Sequence, residues 1–298
     1  NYSLRSITRY IDEQSNYRNT ISTYSTGVFP QDIGMTMREF NIIDKKKEFI
    51  INTDMQRNNF FYFFNCYSHS ISHIKAFIIL INNYYPKDKK KLIKIQGGVT
   101  NKFLKNYEIV YDDFSLGEYA NKCKIYKFDE DDNIYFTNVY FPDINVLYNV
   151  SEDIVGCTGD NSITEVICNN KLPFYEIKKT KIDFIISLIA LAYVYKFTNY
   201  YNFLLCSFNI NLFFSIRKTK DRHTYIDTML NSNYYNSDCH FNKELALEES
   251  KEFKKIISEQ YNFKNSIFGI IAREQIKLNP LKFIRTDDVD EFEKIVSN

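Results

Sequence analysis

The chain has 298 residues, 38 of them basic and 37 acidic, for a formal net charge of +1. That balance excludes a global field that would hold the protein on nucleic acid or an anionic membrane, and the length suffices for one large or two modest domains with a real core. Phe and Tyr number 26 and 24, with no Trp, 8 Gly and 5 Pro, a bias that fits an AT-rich coding sequence better than an aromatic binding surface.

Residues 1–57 read as an N-terminal segment with one strand at 48–52, too short for a complete Rossmann-like domain. From residue 58 a regular rhythm begins. The aromatic run 60–64 reads as a strand buried on both faces. A helix over 72–84 carries Ile74, Phe77, Ile78 and Ile81 at helical spacing, and Pro86 closes it. A strand at 92–96 ends in Gly97-Gly98, a short helix covers 101–106, and a strand follows at 107–111. Two more strands, 124–128 and 134–139, flank an acidic turn at 129–133. A helix at 142–150 leads to a strand at 153–157, a glycine turn, a helix over 161–170 and a strand at 172–176. Strands alternating with helices at these spacings predict an α/β fold, a Rossmann-like parallel sheet with helices on both faces. Right-handed crossovers then set the strand-to-helix loops along one edge, where ligands bind.

Residues 181–298 read as a mainly helical C-terminal region, with helices at 182–198, 242–260, 263–277 and 288–297. The polar stretch 217–241 reads as a long loop. The most apolar segment, 182–195, contains Asp183 and is too short to span a bilayer, so no transmembrane segment is expected. Six cysteines at 66, 123, 157, 168, 206 and 239 form no CxxC pair, which argues against structural zinc and for reduced thiols in a cytoplasmic protein. The start shows no signal-peptide pattern.

The chemistry concentrates in 138–165. A buried strand ends at Cys157 and the chain turns on Gly159, so that Asp160, Asn161 or Ser162 can cap the next helix. Glu165 stands three residues beyond Ser162, the capping-box spacing. A helix N-terminus at the C-terminal edge of a parallel sheet is an anion site, because free N–H groups and the helix dipole converge there. Gly159 would let a phosphate approach the backbone closely. Ser162 with Glu165 also reads as a plain helix cap. His69 and His73 could face a ligand or metal, or be solvated or capping residues. Ser68, His69, Gly97 and Gly98 sit at the same predicted edge, as cleft lining or as simple turns. Asp54 and Asp113 are candidate carboxylate bases or plain surface acids.

The stretch Asn138-Val139-Tyr140-Phe141-Pro142-Asp143-Ile144-Asn145-Val146-Leu147-Tyr148, with 151–165 and the strand entry Lys171-Leu172-Pro173, resembles the C-terminal, nucleotide-sugar-binding domain of GT-B-type glycosyltransferases. The likeness covers about 58–180. It implies a nucleotide-diphosphate-sugar donor with its diphosphate at Gly159, Asp160, Asn161 and Ser162. Glu165 would stand at the ribose or sugar, and Tyr140 and Phe141 near the base. Lys94, Lys102 or Lys105 would have to reach in to neutralise the diphosphate. It implies no cofactor and no essential metal, since Asp131-Asp132 belong to a turn. The acceptor would be a protein or glycan. Because only 57 residues precede the recognised part, the other GT-B half would be a partner chain or a missing N-terminal half; the alternative is a degenerate domain acting as a binding or scaffolding module. The glycine usual before the proline is replaced here by Asn170-Lys171-Leu172. Composition and helical extension suit a bacterial effector acting in a host cytosol.

Overall fold

The computed structural model describes residues 35, 37–177, 181–206 and 240–261. A seven-stranded sheet runs in the order β3-β4-β5-β2-β1-β6-β7. Its strands are β1 (Phe60–Tyr67), β2 (Lys90–Gln96), β3 (Ile109–Phe114), β4 (Cys123–Lys127), β5 (Ile134–Thr137), β6 (Ile154–Thr158) and β7 (Leu172–Glu176). Five of them, β1, β2, β5, β6 and β7, pair in parallel. The chain is thus an α/β protein with a mostly parallel sheet, in keeping with a Rossmann-like reading. A wholly parallel sheet does not hold, because β4 pairs antiparallel with β5 and β3 antiparallel with β4. The connection between β4 and β5 is too short for a crossover and closes as a hairpin. Asp131 N reaches Phe128 O at 3.3 Å, and Asn133 N reaches Asp131 Oδ1 at 2.9 Å.

The helices are α1 (Lys46–Ile51), α2 (Asp54–Arg57), α3 (Ile71–Tyr84), α4 (Thr100–Leu104), α5 (Ile144–Val150), α6 (Asp160–Cys168), α7 (Ile182–Val194), α8 (Thr198–Cys206) and α9 (Lys243–Gln260). Two expectations are corrected. The strand expected at 48–52 is helix α1, because it docks through one residue. Phe49 is fully buried against Phe63 (5.0 Å) and Tyr119 (5.1 Å), while Ile51 is exposed. Burying that ring contributes about 2–3 kcal/mol, and a short apolar run does not by itself distinguish helix from strand. The helix expected at 182–198 ends at Val194. Lys196 adopts φ +61°, and Phe197 N reaches back to Ala192 O (3.0 Å), a left-handed cap that satisfies the last carbonyls. Residues 1–34, the expected helices 263–277 and 288–297, and most of the stretch 217–241 lie outside the described residues.

Two cores sandwich the sheet. On one face Phe64, Ile93, Phe136 and Phe174 pack with α3 and α4, and the same cluster continues around the β7 edge through Cys157 and Tyr175, which point to the opposite face, to α6, α7, α8 and α9. On the other, Phe63, Leu92 and Tyr135 meet Phe49 of α1, Met55 of α2 and Leu147 of α5. Among the described residues no helix is long and apolar enough to cross a membrane. Cys66, Cys123, Cys157 and Cys168 are buried free thiols, whereas Cys206 is disulfide-bonded, against the expectation of reduced thiols throughout.

The strand order positions the site. From β1 the chain crosses to β2 on one side, while from β6 it crosses to β7 on the other, although β1 and β6 are neighbours. This is a topological switch point, and the crevice beyond the C-terminal ends of β1 and β6 is where open α/β sheets bind ligands.

Candidate functional site

At the end of β6, Gly159 takes φ +81° and caps α6, and a side chain placed on it would meet nothing within 4 Å. The backbone at the head of α6 is therefore open, and helix geometry leaves its first-turn N–H groups without intrahelical partners. The side chains do not form the expected capping box. Ser162 is the third residue of the helix, and its Oγ turns back to Thr158, accepting from Thr158 N at 3.1 Å and donating to the Thr158 carbonyl. Asp160 is ion-paired with Lys181, just ahead of α7. Asn161 is exposed.

A second group joins this edge through Glu176, the last residue of β7. Its buried Oε2 accepts from His69 N at 2.7 Å and lies 3.2 Å from Ser68 Oγ. Gly98 N in turn donates to His69 Nδ1 at 3.2 Å, which leaves the proton of a neutral ring on Nε2. Gly97, at φ +120°, lies against the Ser68 backbone so closely that any Cβ would collide with the Ser68 carbonyl. Ser68, His69, Gly97 and Gly98 thus form one clamp between the β1 and β2 loops, with Glu176 as its bolt.

A third feature lies on the α5 side. A pocket of about 430 Å³ is lined by Lys94, Gln96, Asp143, Leu147 and the run Tyr140-Phe141-Pro142. Tyr140 is 69 % exposed, whereas Phe141 is 6 % exposed and packs on Phe63 at 5.6 Å, so Phe141 belongs to the core as much as to the pocket. Asn65, Lys94 and Thr137 are register neighbours across β1, β2 and β5, and all three are buried. Burial pushes the Lys94 ammonium down to about 8. Lys102 and Lys105 are exposed on and after α4.

The remaining candidates have other surroundings. Glu165 lies about 7.5 Å along α6 from Asp160. It faces a water-sized niche with Arg38 and Phe40, where burial raises its carboxyl and Arg38 opposes the shift. His73 is a core residue, stacked on Phe174 at 5.0 Å with Nε2 3.2 Å from Phe174 O, and burial pushes it down to about 4. It is neither solvated nor a ligand. Asp54 holds Ser115 N (2.8 Å) and Asp113 pairs with Lys122 (2.5 Å). The acidic turn holds an Asp-x-Asp spacing, Asp129-Glu130-Asp131, but Glu130 pairs with Lys75 and Asp131 bonds Asn82. That turn precedes β5 and so lies at the sheet edge opposite the switch point. No group of three or more metal-ligating side chains occurs among the described residues.

Sequence reasoning passed over Glu176, Lys181, Asn65 and Thr137. The available signal was a charged residue ending a buried strand, at Glu176, and a lysine inside the apolar run 92–95. These features define an α/β domain with a candidate ligand crevice at its switch point. No protein-family model matches the sequence, and comparison with curated proteins returns no match.

Proposed function

We propose that the chain binds a nucleoside-diphosphate sugar across the C-terminal edge of its sheet and transfers the sugar to a protein or glycan acceptor. The observation that carries this reading is the open head of α6 at the switch point, where Gly159 leaves the backbone clear for a phosphate. Lys181 supplies the cation that the 151–165 motif lacks. It holds Asp160 in the free protein, and a diphosphate would compete for it. Fixed donors and a cation at the leaving diphosphate would stabilise the charge that develops on transfer. Tyr140 follows β5, which lies three inter-strand spacings from β6, about 14 Å across the edge, a span suited to a nucleotide laid along the strand ends with its base on the Tyr140 ring. Acceptor binding would fall to the other half of a GT-B pair, on a partner chain or in a preceding domain.

A second reading is favoured by the same geometry's charges. Asp160 and Glu176 place two carboxylates at this edge, and the Ser162 hydroxyl is spent on Thr158. A degenerate transferase-like domain that binds or scaffolds would carry such a mouth. Thermal shift with UDP, GDP, TDP, CDP and ADP, with and without Mg²⁺, separates the two, because a ligand of the folded state raises its apparent stability. The transferase reading expects a rise with one nucleotide, lost in Lys181→Ala and in Gly159→Ala. A folded protein indifferent to all five nucleotides would leave the scaffold reading standing.

A further inference from the structure

The Lys94 pocket presents a problem that the nucleotide reading does not solve. Lys94 is 3 % exposed, and among the described residues its one hydrogen-bond partner is Gln96 Oε1 and no carboxylate pairs with it. A buried charge without a counter-ion is costly, so its retention beside an open cavity points to a counter-ion brought by a ligand. The register neighbours of Lys94 are Asn65 and Thr137, both buried and outside the pocket lining. Thr137 is turned to Val139 N at 3.3 Å. The walls are apolar and aromatic: Tyr140, Phe141, Pro142, Ile144 and Leu147.

The charges set the size of the anion. The pocket holds a single cation, and Asp143 lies across from it, holding Asn145 N at 2.8 Å as the cap of α5. One negative charge balances Lys94; a phosphate dianion or a diphosphate would add charge that Asp143 repels. We propose that this pocket binds a small monocarboxylate with an apolar or aromatic body, the carboxylate meeting Lys94 Nζ and the body lying against Tyr140, Phe141, Ile144 and Leu147. The inference goes beyond the nucleotide reading and does not rest on it: both use the Tyr140 ring, but the diphosphate place is at β6, whereas Lys94 and Gln96 of this pocket lie on β2.

The site carries a pH signature. Lys94 must be protonated to hold the carboxylate, and burial sets its proton loss at about 8. The titratable groups around it are Cys66 on β1, Tyr140 and Asp143 across the pocket, and Cys123 of β4 beyond Thr137. Cys66 and Cys123 are pushed up by burial and stay neutral thiols. Affinity should therefore fall about tenfold per pH unit once the pH exceeds 8.

The test uses benzoate and 4-methylpentanoate as probes, with benzamide and 4-methylpentanamide as their neutral counterparts, read by thermal shift and by calorimetric titration at pH 7 and 9.5. Expected are a saturable rise with the two carboxylates, none with the amides, loss in Lys94→Met, and at least threefold weakening in Tyr140→Ala, whose exposed ring does not hold the fold. At pH 9.5 binding should weaken tenfold or more. Equal response to the amides, binding retained in a folded Lys94→Met, a response to phosphate or pyrophosphate alone, or no response at all would each overturn the proposal. Loss of nucleotide binding in Lys181→Ala with carboxylate binding intact would show that the two sites stand apart.

Discussion

Gly97 and Gly98 end β2 as neighbours in the sequence, yet the structure asks different things of them. Gly97 has φ +120° and no room beside the Ser68 carbonyl, while a Cβ on Gly98 would meet only the His69 ring, at 3.1 Å. Gly97→Ala therefore combines a disfavoured backbone with a backbone clash, and should cost about 2–4 kcal/mol in denaturant unfolding. Gly98→Ala should cost under about 1 kcal/mol, since a single exposed ring can give way. Equal costs at the two positions would refute the clamp as drawn. The glycine pair was legible in the sequence as the end of a strand, but which of the two is indispensable depends on the β1 loop, 29 residues earlier for the His69–Gly98 bond. The same holds for Glu176, which reads as the end of a strand until the fold brings it to Ser68 and His69.

At the scale of elements, the run from β6 through α6 to β7 was the most readable part of the chain. Gly159 itself caps α6, where the sequence offered Asp160, Asn161 or Ser162 as the cap, and the capping box failed because the helix starts at Asp160, which moves Ser162 into the first turn. The departure at Asn170 has a backbone reason. Asn170 adopts φ +55°, and Lys171 N bonds Val166 O at 3.1 Å, so asparagine fills the left-handed position that closes α6. Its Oδ1 also accepts from Lys254 of α9 at 3.0 Å. Asn170→Gly keeps the backbone and loses only that half-exposed contact, so it should change stability by no more than about 0.5 kcal/mol. Asn170→Ala should cost about 1–2 kcal/mol from the left-handed conformation. Thermal or denaturant unfolding of both variants checks the order, and an alanine as stable as the glycine would remove the backbone account. By contrast, α1 was misread because one buried Phe49 decides its conformation, and a single contact leaves no period in the sequence.

Across the whole molecule, the edge opposite the site is held by charges far apart in the chain, each of which alone reads as an ordinary surface residue. Lys46 of α1 lies 3.0 Å from Asp153 and 3.6 Å from Glu152, and Lys171 and Lys243 approach Asp153 at 3.8 and 3.7 Å. The network ties the N-terminal segment, β6, β7 and α9 together. Its two carboxylates act with opposite sign. Burial pushes Glu152 from 4.5 up to about 7, with Lys46 pulling the other way. Between those values the folded state holds more protons than the unfolded, so this group's contribution falls as pH rises through the window and its penalty is complete above 7. Burial would also raise Asp153, but Lys46, Lys171 and Lys243 together hold it below its ordinary value of 3.8. Its contribution is present above that value and is lost only as pH falls through the depressed one. Glu152→Gln should therefore stabilise the protein at pH 8 by up to about 3 kcal/mol and leave it unchanged at pH 4.5. Asp153→Asn should destabilise it at pH 8 by about 3–5 kcal/mol, because three lysines lose their shared partner. Urea unfolding at the two pH values measures both, and adjacent carboxylates that shift stability in the same direction would show that the lysines do not divide their charge between Glu152 and Asp153 in this way.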